Sequence, residues 1–260
     1  MDIVNAVAGF LVGLLVGFTG VGAGAVMTPI LVLLFGVAPQ TAVGTDLLFA
    51  SITKGVGVWV HGARGSIDWL VLRRLSLGSL PAAAVTLAII HYFPANGELK
   101  PLIMPALGIA LALTSVAMLF QSKLHRLGQH LRTTVPDRFK GAQPTLTIAA
   151  GAVIGLLVTL TSVGAGALGV VMLVYLYPYR LTPAKLVGTD IGHAVPLTLI
   201  AGLGHLSLGN VDFHLLGQLV AGSIPGIIVG SLLSTKVRPT YVRSGLALML
   251  GVIGTRILLQ

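Results

Sequence analysis

Two acidic residues lie inside long apolar stretches of this 260-residue chain, and both end the same four-residue sequence. Residues 43–46 and residues 187–190 each read Val-Gly-Thr-Asp, so that Asp46 and Asp190 occupy matching positions. A carboxylate within a membrane span costs at least about 2.5–3.5 kcal/mol on insertion scales, and an intramembrane acid is therefore a functional hypothesis by default. We predict that the two acids orient a binding site or carry a coupling proton. Pairing that only supports the structure is the alternative.

Two glycine-rich clusters form the second repeated feature, and we call residues 19–24 the first tip and residues 161–166 the second tip. Each cluster interrupts an apolar stretch, and a helix broken at membrane depth frees backbone N–H groups that must face protein or a wet cavity. The positive N-terminal end of the following helix then favours an anion. Close helix packing through small residues is the alternative. The predicted substrate-binding residues of the tips are Thr19, Gly20, Gly22, Gly24, Thr161, Ser162, Gly164 and Gly166.

Lys54 follows Asp46 by two helical turns, and the matching position of the second copy is Thr198. Lys54 is predicted to bind the anion directly. The alternatives are that its ammonium neutralises Asp46 or that its side chain extends to the membrane–water interface. His193 comes three residues after Asp190 and is predicted to take part in coupling or gating. Thr45 and Thr189, which precede the two acids, complete the predicted substrate-binding set. The other histidines form too weak a pattern to predict a metal site.

The composition predicts an integral membrane protein. Hydrophobic residues make up 55% of the chain and charged residues 9%, whereas a soluble domain has about 25% charged residues. No hydrophilic block is long enough for a separate soluble domain. The net charge of +9 comes from Lys and Arg in short loops, without the basic face and interleaved aromatics that indicate nucleic-acid binding. The chain has no cysteine, and no catalytic or ATP-binding motif, so neither an enzyme nor a cofactor is predicted.

The repeated motifs divide the chain into residues 1–120, a basic linker at 121–144, and residues 145–260. The predicted fold is all-α, with about ten helical segments, five in each repeat. In the first repeat these lie at about 3–19, 22–36, 40–60, 67–92 and 101–120. Each repeat opens with a short broken helix or helical hairpin.

An odd number of helices per repeat turns the second repeat upside down, whereas an unbroken first helix would leave four spans and parallel halves. With five helices, all Lys and Arg residues except Lys54, Lys100 and Arg256 fall on one side of the membrane. The positive-inside rule favours this arrangement. It predicts inverted repeats, termini outside and a cytoplasmic linker.

The glycine tips and the paired Val-Gly-Thr-Asp motifs resemble the sulfite exporter TauE/SafE family, also called the toluene-sulfonate uptake permease family. The resemblance extends over essentially the whole chain and includes A-V-G-T-D-L-L-F-A-S-I-T-K at residues 42–54 and K-L-V-G-T-D at 185–190. It implies a bacterial inner-membrane protein that moves sulfite, sulfoacetate or other organosulfonates without ATP. The second half departs from the pattern at Ser162, which replaces a glycine, and at Thr198, which replaces the lysine.

The sequence and the resemblance together predict a secondary transporter that works by alternating access. Its expected partners are a small anionic substrate, the lipid bilayer and a coupling proton, and a homodimer is left open. A passive anion channel and a transporter of a non-sulfur carboxylate or oxyanion are the alternatives. A sulfur-relay protein without flux of its own is disfavoured, because that class uses reactive cysteines.

Overall fold

Ten α-helices make up the fold in the computed structural model, which describes residues 2–19, 24–62, 66–92, 100–233 and 239–259. Five of these helices belong to each repeat, as predicted. The helices are α1 (Asp2–Thr19), α2 (Gly24–Leu33), α3 (Pro39–Gly62), α4 (Trp69–Tyr92), α5 (Lys100–Thr134), α6 (Pro136–Thr161), α7 (Ala167–Leu176), α8 (Pro183–Ser207), α9 (Phe213–Leu233) and α10 (Pro239–Leu258).

Five of the described helices are long and apolar enough to cross a membrane, namely α4, α5, α6, α8 and α9. Large apolar side chains are exposed on the outer surfaces of the helices, among them Leu113 on α5 and Val252 on α10. Such a surface is stable against lipid and unfavourable against water. The predicted all-helical membrane fold is confirmed.

A helical hairpin opens the second repeat. Gln143, near the start of α6, donates a hydrogen bond of 2.6 Å to the carbonyl of Leu176 at the end of α7. The two helices therefore run antiparallel, and the chain returns to the side from which it came. The ten residues of α7 span roughly 15 Å, about half of a 30 Å hydrocarbon core. An unbroken first helix, which the four-span alternative requires, is excluded for this repeat.

Helices of one repeat pack closely, backbone against backbone, on helices of the other repeat. Helix α1 packs on α9 and α6 packs on α4, which are equivalent pairs. A Cβ atom at Gly222 would lie 1.8 Å from the carbonyl oxygen of Ala6, and one at Gly78 would lie 1.9 Å from that of Ile148. Glycine is required at both positions because any side chain would push the helices apart.

Equivalent helices of the two repeats cross in opposite directions. On α3 and α8, Gly44 meets His205 whereas Leu48 meets Gly202, so the numbering rises on one helix as it falls on the other. On α5 and α10, Gly108 meets Leu258, whereas Ser115 meets Ala247 through a hydrogen bond of 2.7 Å from its hydroxyl to the carbonyl. Helices related by a two-fold axis are antiparallel when the axis is perpendicular to them. This is the relationship expected of inverted repeats, while their orientation in a bilayer stays a prediction.

The loop between α3 and α4 and its counterpart between α8 and α9 are each held by the other repeat. The amide of Asp68 donates to the hydroxyl of Thr189 at 2.9 Å, and the amide of Asp212 donates to the hydroxyl of Thr45 at 3.0 Å. Each aspartate also caps the helix that follows, because its Oδ1 accepts a backbone N–H three residues on. Two equivalent loops are thus fixed by one reciprocal set of contacts.

The segment 121–144, predicted as a basic linker, is helical and forms the end of α5 and the beginning of α6. Helix α5 has 35 residues and is roughly 52 Å long, which exceeds the hydrocarbon core. Its far part packs on α7, where a Cβ at Gly128 would lie 2.2 Å from the carbonyl oxygen of Tyr175. The division of the chain at this segment stays a prediction.

Candidate functional site

The second tip is a left-handed turn between α6 and α7. Ser162 has φ 59°, and Gly164 and Gly166 have φ 113° and 137°, values that side chains disfavour and glycine tolerates. The hydroxyl of Thr161 donates to the carbonyl of Leu157 at 2.6 Å and accepts the amide of Val163 at 3.1 Å. This hydroxyl therefore shapes the turn. The glycines are explained by backbone conformation, and α7 begins directly behind them.

The first tip lies partly outside the described residues. Gly20 and Gly22 are not described, nor is the side chain of Thr19, while Gly24 begins α2. The residues that follow are informative, because Ala25 and Met27 of α2 are buried in the same apolar cluster as Val163 and Ala167 of the second hairpin. The two short helices therefore contribute to one apolar cluster, while the convergence of the two tips stays a prediction.

Asp46 lies between the two hairpins and is fully buried. Its Oδ2 accepts a hydrogen bond of 2.5 Å from the hydroxyl of Thr28 on α2, and Ser162 of the second tip stands beside it. Within the described part of the chain, Oδ1 of Asp46 and the hydroxyl of Ser162 have no hydrogen-bond partner that meets ordinary geometry. Buried polar atoms without a partner are rare in folded proteins, which distinguishes these two side chains from most of the interior.

Lys54 crosses from α3 of the first repeat to the second tip, where its ammonium donates a hydrogen bond to the carbonyl of Ala165. The side chain is buried, with 5% of the residue exposed. Its charge attracts both Asp46 and Asp190. One cation is thus shared by two acids from different repeats. The matching residue of the second repeat, Thr198, donates its hydroxyl hydrogen bond to the carbonyl of Ala194 on its own helix.

Asp190 lies on α8 against the beginning of α7. A Cβ atom at Gly169 would come within 2.2 Å of its Oδ1, so the absence of a side chain there admits the carboxylate. Its Oδ2 has no hydrogen-bond partner among the described residues. His193, one turn further along, contacts the hydroxyl of Ser79 through Nε2 at 2.8 Å. Its hydrogen bond therefore goes to α4 rather than to Asp190.

These side chains form one buried group, which we call the central polar cluster, and every member is 5% exposed or less. It combines two carboxylates, one ammonium, two hydroxyls and an imidazole at the start of α7. Thr45 and Thr189, by contrast, use their hydroxyls to accept the backbone amides of the interhelical loops. The members of the central polar cluster are Thr28, Asp46, Lys54, Ser162, Asp190 and His193.

Comparison with known proteins identifies the family. The sequence model of the sulfite exporter TauE/SafE family matches residues 5–257. The chain belongs to the TauE/SafE family. It is 38% identical to the probable membrane transporter protein YjnA of Bacillus subtilis strain 168, over 99% of this chain and 100% of the relative. It is 26% identical to the probable membrane transporter protein MJ0441 of Methanocaldococcus jannaschii, over 97% and 94% of the two chains. No solved structure matches.

Three residues near the acids of this TauE/SafE protein were missed by the sequence reasoning. Thr28 could have been found, since it is the one hydroxyl residue of the apolar helix α2 and follows the first tip by a single turn. Ser79 lies in a Gly-Ser-x-Pro stretch that recurs at residues 222–225, but nothing in that stretch indicates a contact with His193, and Gly169 has no signal of its own. Their importance depends on packing between α4 and α8 and between α7 and α8, which the one-dimensional pattern does not specify.

Proposed function

We propose that this TauE/SafE protein is a secondary transporter that moves small sulfur-containing anions, such as sulfite, sulfoacetate or other organosulfonates, across the bacterial inner membrane. The observation that carries the proposal is the central polar cluster, in which a buried lysine reaches a glycine turn between two acids. The sulfur chemistry is supported by the description of the family, which is that of a sulfite exporter.

The anion would bind at the second tip, where donors are concentrated. Lys54 has three N–H donors and gives one of them to Ala165, so the others are available for an oxyanion. The hydroxyl of Ser162 stands beside Asp46 and makes no hydrogen bond of ordinary geometry with the described residues, and α7 directs its N-terminal end toward the same turn. An oxyanion bound here would accept a charge-assisted hydrogen bond from Lys54 and would also be attracted by the N-terminal end of α7.

The charge of the two acids favours transport of the anion together with a proton. With all groups ionised, Lys54, Asp46 and Asp190 carry one positive and two negative charges, a poor site for a further negative charge. Uptake of one proton together with one monoanion leaves the net charge of the cluster unchanged. In the hydrophobic interior, where uncompensated charge is costly, such coupled loading is favoured.

Asp190 is the acid that we assign to the proton. Asp46 already accepts a hydroxyl hydrogen bond from Thr28, which stabilises its carboxylate. The residue of α7 that matches Thr28 in the second repeat is Val170, which has no hydroxyl, and Oδ2 of Asp190 accepts no hydrogen bond from the described residues. Asp46 then holds the tip and Asp190 exchanges the proton.

Alternating access is supported by the burial of the cluster and by the opposed directions of equivalent helices. A substrate reaches side chains that are at most 5% exposed only after the surrounding helices move. Rocking of two inverted repeats about their common site would open it to each side in turn. A passive channel, the alternative mechanism, requires a continuous wet path through the same region.

The proposal is tested by flux of radiolabelled sulfite into proteoliposomes. In a proton-coupled carrier, an imposed inward proton gradient drives the accumulation of sulfite, and uptake of labelled sulfite is faster when unlabelled sulfite is present inside. A channel shows neither effect. Competition by sulfoacetate and by acetate at equal concentration then distinguishes sulfur anions from carboxylates. Absence of any sulfite flux, with robust carboxylate flux, would overturn the assignment of substrate.

The proposed topology has both termini outside and the junction of α5 and α6 in the cytoplasm. Because the chain has no cysteine, single cysteines can be introduced without interference. We expect Ser207→Cys, in the exposed end of α8, to react with an impermeant maleimide on intact cells. Gly141→Cys should react only after lysis. Labelling of both from the same side would exclude inverted repeats.

A further inference from the structure

A basic cavity of about 400 Å³ opens where α4, the junction of α5 and α6, and the loop between α7 and α8 meet. Its volume lies at the lower end of the range of ligand pockets, roughly 300–1,000 Å³. It is lined by residues of both repeats and is distinct from the central polar cluster. Six of the lining residues carry the argument: Arg74, Arg132, Lys140, Gln143, Tyr177 and Arg180.

The cavity has an excess of positive charge. Of its four cations, Arg180 is neutralised by Asp68, to which it donates two hydrogen bonds of 2.6 and 3.0 Å. Among the described residues this is the only ion pair, which leaves Arg74, Arg132 and Lys140 without a carboxylate partner. Asp137 lies in the first turn of α6 but is exposed and makes no ion pair there. Cations grouped around a cavity without counter-charge bind anions.

The floor of the cavity is held in place by hydrogen bonds. Tyr177 is 2% exposed, and its hydroxyl accepts from Arg74 at 3.2 Å and contacts the hydroxyl of Thr147 at 2.8 Å. Gln143 is fixed by its hydrogen bond to the carbonyl of Leu176. A preorganised floor lowers the entropic cost of binding. The cations are therefore presented to the cavity by a rigid frame.

The cavity does not belong to the duplicated machinery of the fold. The residue of the second repeat that matches Arg74 is Gln218, whose side chain accepts a hydrogen bond from Asn5. A neutral amide thus occupies the equivalent position at the opposite end of the molecule. A site needed for loading substrate from either side would be expected to keep its cations in both places, whereas in the described residues Arg74 is matched by the neutral Gln218.

We propose that this cavity is a second anion site, which binds the phosphate groups of a multivalent anion. The shared chemistry is that of two phosphates at short separation, as in the headgroup of a doubly anionic phospholipid or in free pyrophosphate. Arg132 and Lys140, from the two sides of the α5–α6 junction, contact the ligand together with Arg74. Basic pockets between membrane helices at the cytoplasmic surface commonly hold such headgroups.

The experiment measures the stability of the purified full-length protein with defined probes. Thermal unfolding is followed in detergent with pyrophosphate, and in nanodiscs of phosphatidylcholine with and without cardiolipin. We expect the double variant Arg132→Gln and Lys140→Gln, which we call the cavity pair, to bind the stabilising ligand more weakly. The affinity should fall by about tenfold or more for each cation removed. The matched control is Arg73→Gln combined with Arg138→Gln, which removes two exposed cations of the same side that do not line the cavity.

The outcomes separate the sources of the phosphate and the rival explanation. If pyrophosphate stabilises the wild type and the control pair but not the cavity pair, the ligand is a free anion. If cardiolipin alone stabilises the wild type and the control pair but not the cavity pair, the ligand is a lipid headgroup. Equal loss in both pairs, or no stabilisation by either probe, overturns the proposal. If the cavity pair does not fold, Arg132→Gln alone is compared with Arg73→Gln. Asp190→Asn should bind the probe normally, so the second site can fail or stand independently of transport.

Discussion

The ammonium of Lys54, carried by α3 of the first repeat, donates a hydrogen bond to the carbonyl of Ala165 in the turn of the second repeat. This contact joins the two halves within the buried central polar cluster. It also removes the symmetry of the site, since Thr198 at the matching position bonds within its own helix. The asymmetry predicts that the two equivalent positions differ sharply in their effect on transport.

We expect Lys54→Gln to reduce sulfite flux by at least about thirtyfold, because removal of one partner from a buried charged contact costs 2 kcal/mol or more. Thr198→Ala is the matched control and should retain more than half of the wild-type flux. Both are measured in proteoliposomes at equal protein density. Equal loss in the two variants would indicate a general packing defect instead of an anion contact.

Asp190→Asn should uncouple the transporter from protons. A neutral amide imitates the protonated acid, so accumulation driven by a proton gradient is lost while exchange of labelled for unlabelled sulfite continues. Asp46→Asn should lose both activities, because the hydroxyl of Thr28 would no longer meet a carboxylate. Gradient-driven accumulation in Asp190→Asn at the wild-type level would remove this residue from coupling.

Helix contact through glycine gives a prediction about stability. Gly222→Ala should lower the free energy of unfolding by about 1–3 kcal/mol, since its new Cβ would overlap the carbonyl of Ala6 on α1. Gly217→Ala, on the same helix α9, meets nothing within 4 Å and should be neutral or stabilising by up to about 1 kcal/mol. Thermal unfolding in detergent compares the pair. Similar melting temperatures would contradict the close packing of α1 on α9.

The ion pair of Asp68 and Arg180 predicts a dependence of stability on pH. Partial burial of Asp68 opposes ionisation, but the hydrogen bonds from Arg180 and from backbone amides outweigh it and lower the pKa of the carboxyl below its ordinary value. A carboxyl with a depressed pKa stabilises the fold above its unfolded value, near 3.9, and this stabilisation is lost as pH falls through the folded pKa.

Asp68→Asn should therefore lose less stability than the wild type when the pH is lowered from 5 to 3. At pH 7 it should be less stable than Asp212→Asn by at most about 1 kcal/mol, because Arg180 is largely exposed. Asp212 makes the same two backbone contacts and has no ion pair in the described part of the chain. Melting temperatures of both variants across this range provide the check, and identical profiles would argue against a contribution from Arg180.

The arrangement of helices was predictable because the sequence repeats itself. The recurrence of the Val-Gly-Thr-Asp motif and of the glycine tips fixes two equivalent halves, and the break at residues 161–166 divides an apolar stretch too long for one span. The candidate acids followed from their cost in lipid. These are local properties of the chain, which is why periodicity and composition reveal them.

Contacts between the halves were not predictable in the same way. The pattern of residues places Lys54 on a side of α3 but does not specify that Ala165, from the other half, receives its hydrogen bond. Thr45 and Thr189 were predicted to bind substrate because they adjoin the acids, whereas in the fold they hold loops of the opposite repeat. That assignment to the substrate stays a prediction without support from their hydrogen bonds.

The reciprocal bonds of Asp68 to Thr189 and of Asp212 to Thr45 have a consequence for the ancestry of the fold. A solitary half, as it existed before duplication, would leave one loop amide and one threonine hydroxyl unsatisfied. A second copy of the same half, packed in the opposite direction, would supply both missing partners. The reciprocal contacts are therefore those that two identical, separately encoded halves would make with each other.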